Sequence, residues 1–181
     1  MADDPRLRSP GPGAAADPDD PGRAGAAGPG APGHAGADLG WLREAIELSR
    51  RCPPSETAFS VGAVLVSASG RVIATGYSRE RDPTDHAEEV ALARAGAAEQ
   101  LAAATLYSSL EPCLHRASRP RPCAELIVAA GITRVVVAWL EPPVFVTGGG
   151  AAWLRGAAVT VVEFPELAER ARAVNAHLIA G

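Results

Sequence analysis

The chain contains no lysine, since all 17 of its basic residues are arginine. The absence of lysine excludes a lysine Schiff base and the phosphate-binding lysine of a P-loop. Cysteine is also scarce, and an odd count of three does not fit a disulfide framework. The three thiols are therefore better suited to metal binding or thiol chemistry. A formal net charge of −4 argues against a nucleic-acid-binding protein, which usually presents a basic face.

Long apolar segments are absent as well. None of the apolar runs reaches the length needed to span a bilayer, and the N-terminus lacks the apolar stretch of a secretory signal. We therefore expect a cytoplasmic protein that acts on a small molecule and has no membrane partner.

The first 37 residues differ in composition from the rest of the chain. Ala, Gly and Pro occupy 25 of these 37 positions, and the only large apolar residues are Met1 and Leu7. Such a segment cannot bury enough surface to offset the entropy lost on ordering. The composition predicts a disordered tail over residues 1–37 and one folded domain over residues 38–181.

Short apolar runs alternate with helical patterns through the predicted domain. The predicted strands lie at 61–67, 71–77, 104–109, 133–139 and 158–163. The predicted helices lie at 39–48, 86–95, 122–130, 151–155 and 165–179. Asp38 is expected to cap the first helix. A hairpin followed by alternating helices and strands predicts an α/β fold of three layers, α/β/α, with a mixed central sheet.

Four residues form the most informative pattern: His86, Glu88, Cys113 and Cys123. One imidazole and two thiolates can hold a zinc ion and leave its fourth position open for water, as in catalytic zinc sites. His86 and Cys123 open predicted helices, and Cys113 follows a predicted strand, where active sites of α/β proteins commonly form. We expect one zinc ion per chain.

The same pattern indicates a reaction. Zinc lowers the pKa of a bound water from about 15.7 towards about 7. Glu88, two residues from the histidine, is expected to be the catalytic residue that carries protons from this water to the substrate. These parts are typical of hydrolytic deamination, in which a ring amino group is replaced by a carbonyl and ammonia is released.

These motifs resemble the zinc-dependent cytidine and deoxycytidylate deaminase superfamily, which carries His-x-Glu followed by Pro-Cys-x-x-Cys. Within it, the chain is most similar to the riboflavin-biosynthesis branch, the diaminohydroxyphosphoribosylaminopyrimidine deaminases. The segments that carry the resemblance are 61–66, 86–88, 110–115, 122–127, 130–136 and 148–150. The resemblance implies a cytidine-deaminase-like fold, a zinc-dependent aminohydrolase and an aminopyrimidine nucleotide as the substrate. It also implies a homodimer or a larger homo-oligomer.

The chain departs from this branch on the substrate side. The interval between Cys113 and Cys123 is one residue longer than usual, and Ala58 stands where the branch has an asparagine that contacts the substrate ring. The residues predicted to contact the substrate are Ala58, His115, Arg116, Arg119 and Arg121. The three arginines could clamp a substrate phosphate through their forked guanidinium groups, or they could belong to a solvated loop. Glu89 is expected on the surface of its helix.

The departures leave other functions open. The chain could be a deaminase of cytosine, cytidine or deoxycytidylate, or one dedicated to a secondary metabolite. It could also be a catalytically silent zinc module that binds a partner, whereas polynucleotide editing is disfavoured by the acidic charge. Because the sequence ends at Gly181, we expect no fused reductase domain, although many proteins of this branch have one.

Overall fold

A five-stranded mixed sheet forms the centre of the molecule. The computed structural model describes residues 32–96, 99–145 and 148–179. The strands are β1 Gly62–Val66, β2 Val72–Tyr77, β3 Thr105–Ser108, β4 Arg134–Val137 and β5 Thr160–Glu163. The helices are α1 Pro32–Ser49, α2 Ala87–Ala95, α3 Cys123–Ala129, α4 Gly150–Gly156, α5 Ala168–Val174 and α6 Ala176–Ile179, with short 3₁₀ helices at Glu99–Ala103 and Pro165–Leu167.

The strand order β2-β1-β3-β4-β5 explains why the sheet is mixed. β1 runs antiparallel to both β2 and β3, and the tight turn between β1 and β2 contains Gly70 with a φ of 76°. β3, β4 and β5 are parallel, and the crossovers between them contain α3 and α4. The predicted three-layer α/β/α fold is confirmed, and each of the five predicted strands lies within two residues of its expected position.

Two glycines allow helices to approach the sheet closely on its opposite faces. A Cβ at Gly62 would collide with the backbone oxygen of Ala45 in α1, and one at Gly76 with the backbone oxygen of Ala87 in α2. Gly76 is paired with Ala63, the residue next to Gly62, so the two glycines face opposite sides of the sheet. α2, whose first turn holds Glu88, is therefore pressed directly against β1 and β2.

The first helix begins earlier than the sequence indicates. α1 starts at Pro32, and Asp38 lies inside it instead of capping it, so this expectation was wrong. The carboxylate of Asp38 is buried and accepts hydrogen bonds from Tyr107 and Arg134, so its oxygens are occupied by distant partners and do not cap a helix. Residues 1–31 lie outside the described residues, and the tail boundary at residue 37 stays a prediction.

The predicted C-terminal helix is broken at Asn175. The buried side chain of Asn175 accepts a hydrogen bond from the backbone N–H of Ser60 at 2.7 Å and donates one to the Ser60 carbonyl at 3.0 Å. These bonds tie the C-terminal helices to the segment that precedes β1. Hydrogen bonds from an asparagine side chain to the backbone compete with the backbone hydrogen bonds of a helix, so the helix is interrupted at this residue.

Among the residues that the structure describes, no helix combines the length and the apolar character that a bilayer crossing requires.

Candidate metal centre and active site

Three elements bring the predicted metal ligands together. His86 is the N-cap residue of α2, with extended backbone angles (φ −99°, ψ 151°), and Cys123 is the first residue of α3. Cys113 lies in the loop that follows β3. The sulfur atoms of Cys113 and Cys123 lie 3.4 and 3.5 Å from Nδ1 of His86, and the three donor atoms are all within 4.8 Å of one another.

The start of α3 organises the two sulfur atoms. The backbone N–H of Cys123 donates to Sγ of Cys113 at 3.3 Å, and the N–H of Ala124 donates to the carbonyl of Cys113 at 3.1 Å. Pro122 occupies the position before the helix, where its missing N–H is not needed. The first N–H groups of a helix stabilise negative charge, so this arrangement favours a thiolate at Cys113.

The two cysteine thiols have opposite pKa shifts, and the resulting negative charge favours a bound cation. A hydrogen bond from Cys123, assisted by His86, lowers the pKa of Cys113 to about 4. The same bond and burial raise the pKa of Cys123. Two neighbouring sulfurs that retain one proton between them exchange it readily for a metal ion. A donor set of one imidazole and two sulfurs matches the ligand preference of zinc and leaves a fourth position for a non-protein ligand.

Glu88 is buried beside this trio. Its side chain is 3% exposed, and Oε1 accepts a hydrogen bond of 2.8 Å from the hydroxyl of Ser108. Burial raises the pKa of the Glu88 carboxyl, although the nearby His86 opposes this effect. A carboxyl group with a raised pKa is suited to taking up and releasing a proton during a reaction near neutral pH.

Two of the three metal ligands and Glu88 line one cavity, whose surface is more apolar than polar. The cavity has a volume of about 310 Å³. His86, Glu88 and Cys113 line it, and Val61, Leu110 and Phe145 contribute apolar surface. This size and character fit a small planar ring with a few polar substituents.

The predicted substrate residues divide between the cavity and its surroundings. Ala58, His115 and Arg116 line the cavity. The Arg116 side chain is only 2% exposed, and its donors are engaged by Oε2 of Glu89 at 3.0 Å and by the carbonyl of Thr84 at 2.7 Å. Contact between these residues and a substrate stays a prediction.

Arg119 and Arg121 point to acidic side chains. Arg119 lies 3.3 Å from Glu89, 3.4 Å from Asp85 and 3.6 Å from Asp82. Arg121 is 53% exposed and lies 3.9 Å from Glu125. Neither arginine is among the described residues that line the cavity. A role for either in binding a substrate phosphate stays a prediction.

Glu89 has a different role from the one expected. Its side chain is 22% exposed and lies between Arg116 and Arg119, so it is not a simple surface residue of α2. Through these ion pairs, the loop between the two cysteines is tied to the helix that carries Glu88.

Three residues near the site are not among those predicted from the sequence to bind a metal or a substrate. Ser108 ends β3 and Glu141 follows β4, so the rule that active sites form at strand carboxyl ends would have found both. The third residue, Arg79, also lines the cavity. Its guanidinium donates to the carbonyls of Pro53 and Phe59 at 2.8–3.0 Å and thereby holds the segment that contains Ala58.

Comparison with known proteins gives consistent matches. Residues 37–139 match the sequence model of the cytidine and deoxycytidylate deaminase zinc-binding region. The chain is 38% identical over 126 residues to a diaminohydroxyphosphoribosylamino-pyrimidine deaminase from Schizosaccharomyces pombe, covering 68% of this chain and 31% of that protein. It is also 38% identical over 142 residues to the riboflavin biosynthesis protein RibD from Aquifex aeolicus, covering 76% of this chain and 37% of that protein.

A solved structure shares the fold. The diaminohydroxyphosphoribosylaminopyrimidine deaminase/5-amino-6-(5-phosphoribosylamino)uracil reductase from Thermotoga maritima superimposes with a TM-score of 0.66 and 33% sequence identity, covering 78% of this chain and 40% of that one. The present chain therefore spans between three and four tenths of the length of these relatives.

Proposed function

The chain belongs to the family of cytidine and deoxycytidylate deaminase zinc-binding domains, and from that membership we propose that it catalyses zinc-dependent hydrolytic deamination of an aminopyrimidine. One observation carries the proposal. The donor atoms of His86, Cys113 and Cys123 lie within 4.8 Å of one another, and the buried carboxyl group of Glu88 lines the same cavity as His86 and Cys113. A purely structural zinc site has no need of such a carboxyl group.

The residues of the chain have distinct roles in the proposed reaction. His86, Cys113 and Cys123 would hold the zinc ion, which supplies Lewis acidity and activates water. Glu88 would accept a proton from the attacking water and deliver it to a ring nitrogen, then transfer a second proton to the departing amine. One water molecule is consumed, the ring carbon gains a carbonyl, and ammonia leaves. The apolar walls at Val61, Leu110 and Phe145 would restrict bulk water around the ring.

We propose a nucleotide related to the riboflavin precursor as the substrate. The names of the relatives from Schizosaccharomyces pombe and Thermotoga maritima describe a pyrimidine that bears two amino groups and a phosphoribosylamino group. A cavity of about 310 Å³ has room for such a ring. His115 is exposed and lines the cavity, which supports the proposal that it contacts a substituent of the ring.

The decisive experiment compares the zinc-loaded protein with its Glu88→Gln variant in an ammonia-release assay. The substrates are amino-pyrimidine and purine bases, nucleosides and nucleotides, each with and without phosphate. We expect wild-type turnover of an aminopyrimidine nucleotide and a loss of at least about 100-fold in Glu88→Gln, because general acid–base catalysis contributes roughly 10²–10⁴-fold. Zinc content should be equal in both proteins. Glu44→Gln, an exposed change on α1, is the matched control and should retain wild-type turnover.

The screen separates the remaining alternatives. Preferred turnover of cytosine, cytidine or deoxycytidylate would replace the substrate proposal and retain the reaction. Full zinc occupancy without ammonia release from any compound would favour the silent zinc-binding module. Turnover that is unchanged in Glu88→Gln would overturn the mechanism.

Assembly and location are further proposals. We propose that the chain forms a homodimer or larger oligomer and that it acts in the cytoplasm. Light scattering of the zinc-loaded full chain tests the first proposal, and a single-chain mass would overturn it. Fractionation of the source cells tests the second.

A further inference from the structure

One wall of the active-site cavity is built from a segment that has neither helix nor strand. Residues 50–61 connect α1 to β1, and within them Thr57, Ala58 and Phe59 line the cavity. We call residues 53–60 the wall segment. Because it has no backbone ladder of its own, its position depends on the contacts that other parts of the molecule make with it.

The guanidinium of Arg79 holds the wall segment at both of its ends. Nε and Nη2 donate to the carbonyl of Pro53 at 2.9 and 2.8 Å, and Nη1 donates to the carbonyls of Ala58 and Phe59 at 3.3 and 3.0 Å. Nη2 also donates to the hydroxyl of Ser60 at 2.8 Å. One side chain can serve all of these oxygens because the five N–H donors of arginine diverge from a rigid plane.

The backbone of Arg79 is fixed on the other side of the cavity. Its N–H donates to the carbonyl of Asp85 at 2.9 Å, and Asp85 directly precedes the proposed metal ligand His86. Its φ of 60° lies in the left-handed region, which is uncommon for a residue with a side chain. Such a conformation persists only where the surrounding contacts stabilise it, and it is found most often at functional sites. Arg79 therefore connects the wall segment to the loop that carries His86.

Arg79 lines the cavity, but its donors are already committed. Each nitrogen of its guanidinium donates to an oxygen of the wall segment, and the side chain is only partly exposed. A substrate phosphate could bind this group only by displacing those oxygens, which would then lose their hydrogen bonds to a cation. The arrangement favours a bridge within the protein over an anion clamp.

We propose that Arg79 is a positioning residue that holds the wall segment at a fixed distance from His86 and so preforms the substrate side of the cavity. This inference deepens the proposed deaminase function and rests on it. A preformed wall lowers the cost of binding, because the segment need not be ordered when the substrate arrives. Arg79 should therefore affect binding of the whole substrate, with or without a phosphate, and should affect the chemical step little.

Cys52 provides a reporter that does not depend on catalysis. It directly precedes Pro53, its side chain is half-buried, and its thiol donates to the carbonyl of Val61 at 3.4 Å. Release of the wall segment should expose this thiol and accelerate its reaction with an aromatic disulfide reagent. Burial raises the pKa of Cys52 and the charge of Arg79 opposes this effect, so loss of the charge alone would slow the reaction.

The test compares the zinc-loaded full chain with Arg79→Lys. Lysine keeps the charge and has the same steric cost at a left-handed φ, but it lacks the forked donors. Ser60→Ala removes one acceptor of the bridge and is the milder variant, in which Asn175 still binds the backbone of residue 60. Arg155→Lys is the matched control, since Arg155 is exposed and lies outside the described cavity lining. Each protein is also prepared with Cys52→Ala, which gives the background reaction of the other thiols.

Ammonia release is measured with the proposed substrate, the diaminopyrimidine that bears a phosphoribosylamino group, and with its dephosphorylated form. We expect Arg79→Lys to raise KM about tenfold for both compounds and to change kcat less than about twofold, because hydrogen bonds to a charged group are lost and the reacting groups are untouched. Cys52 should react about tenfold faster in Arg79→Lys, as the same hydrogen bonds hold its neighbours. Ser60→Ala should show smaller changes in the same direction, and Arg155→Lys none. Zinc content and thermal unfolding report on intact folding.

Several results would overturn the inference. A rise in KM confined to the phosphorylated compound would show that Arg79 binds the phosphate, and a loss confined to kcat would place it in the chemical step. Unchanged KM values, or an unchanged reaction of Cys52, would show that Arg79 does not hold the wall segment. Failure of the proposed function is distinguishable, because it abolishes ammonia release by the wild type. The reaction of Cys52 and the affinity for both compounds, measured by titration calorimetry, would still report on Arg79.

Discussion

The hydroxyl of Ser108 donates a hydrogen bond of 2.8 Å to Oε1 of Glu88, and both side chains are buried. Ser108 is the last residue of β3, whereas Glu88 lies in the first turn of α2. The bond therefore connects the central sheet to the helix that carries the proposed proton carrier. It restricts the carboxyl group to one orientation in a cavity whose other walls are largely apolar.

Replacement of Ser108 by alanine should slow the reaction without removing the metal. We expect kcat to fall about tenfold and KM to change little, because a hydrogen bond to a charged group contributes roughly 1.5–3 kcal/mol and here positions the carboxyl group that we propose as the proton carrier. Ser109→Ala is the control, since the Ser109 hydroxyl accepts a hydrogen bond from the N–H of Gly62 and lies outside the described cavity lining. Equal kcat values for Ser108→Ala and wild type would show that Ser108 does not position Glu88.

Loss of one sulfur ligand should empty the metal centre. Elemental analysis of wild type should give about one zinc per chain, and Cys113→Ala should lose most of it, because two remaining protein ligands bind weakly. Cys52→Ala is the matched control, since the Cys52 thiol donates to the carbonyl of Val61 and is not one of the three clustered ligands. Normal zinc content in Cys113→Ala would contradict the ligand assignment.

The fold was largely predictable because the apolar patterns are local. The β-branched run around Val135 and the turn at Gly70 each specify their element through nearby residues alone. The start of α1 was not predictable in this way. Asp38 carries a helix-capping signal in the sequence, but its partners Tyr107 and Arg134 are far along the chain, and only the folded sheet brings them to it.

In the candidate site too, some features follow from the sequence alone and others depend on residues that are distant along the chain. The clustering of His86, Cys113 and Cys123 was predictable because metal ligation requires particular residue types in a particular order. Glu88 was singled out because it lies two residues from the histidine. The position of Glu141 after β4 would have placed it near the site, but the sequence does not show that its carboxylate lacks a hydrogen-bond partner among the described residues. The engagement of Arg116 by Glu89 likewise depends on tertiary packing, and a charge pattern alone gives no sign of it.

Two glycine substitutions should have opposite effects on stability. Gly62→Ala places a methyl group against the backbone of Ala45 and should lower the free energy of unfolding by about 1–3 kcal/mol, the usual effect of overpacking. Gly40→Ala lies in α1 with nothing within 4 Å of the new methyl group, and should raise the free energy of unfolding by about 0.5–1 kcal/mol through helix propensity. Urea denaturation of both variants tests the pair, and equal effects would contradict the close packing of α1 on β1.

The buried pair of Asp38 and Arg134 should contribute to stability. Asp38→Asn leaves the guanidinium of Arg134, which is 11% exposed, without its carboxylate. We expect the free energy of unfolding to fall by roughly 3 kcal/mol, near the lower end for breaking a buried ion pair. The exposed pair of Glu47 and Arg50 is the control, and Glu47→Gln should change stability by less than about 1 kcal/mol. Similar values for the two substitutions would show that the Asp38 pair behaves as a surface pair.

The ion pairs of Glu89 should affect how firmly the metal is held. Glu89 bridges Arg116 and Arg119, and these arginines belong to the loop between Cys113 and Cys123. Glu89→Gln removes the charge that holds this loop against α2, so the cysteines should separate more readily from His86. We expect zinc transfer to a chelator to become about tenfold faster. This is the lower end of the loss in metal affinity seen when residues that support metal ligands are replaced.

The neighbouring pair of Arg121 and Glu125 provides the matched control for Glu89. Both side chains are about half exposed and 3.9 Å apart, so Glu125→Gln should leave the rate of zinc loss unchanged. High salt should accelerate zinc loss from wild type only slightly, because the side chain of Arg116 is 2% exposed and is shielded from ions in solution. If Glu89→Gln and Glu125→Gln released zinc at the same rate, the ion pairs of Glu89 would not be what holds the loop between Cys113 and Cys123 against α2.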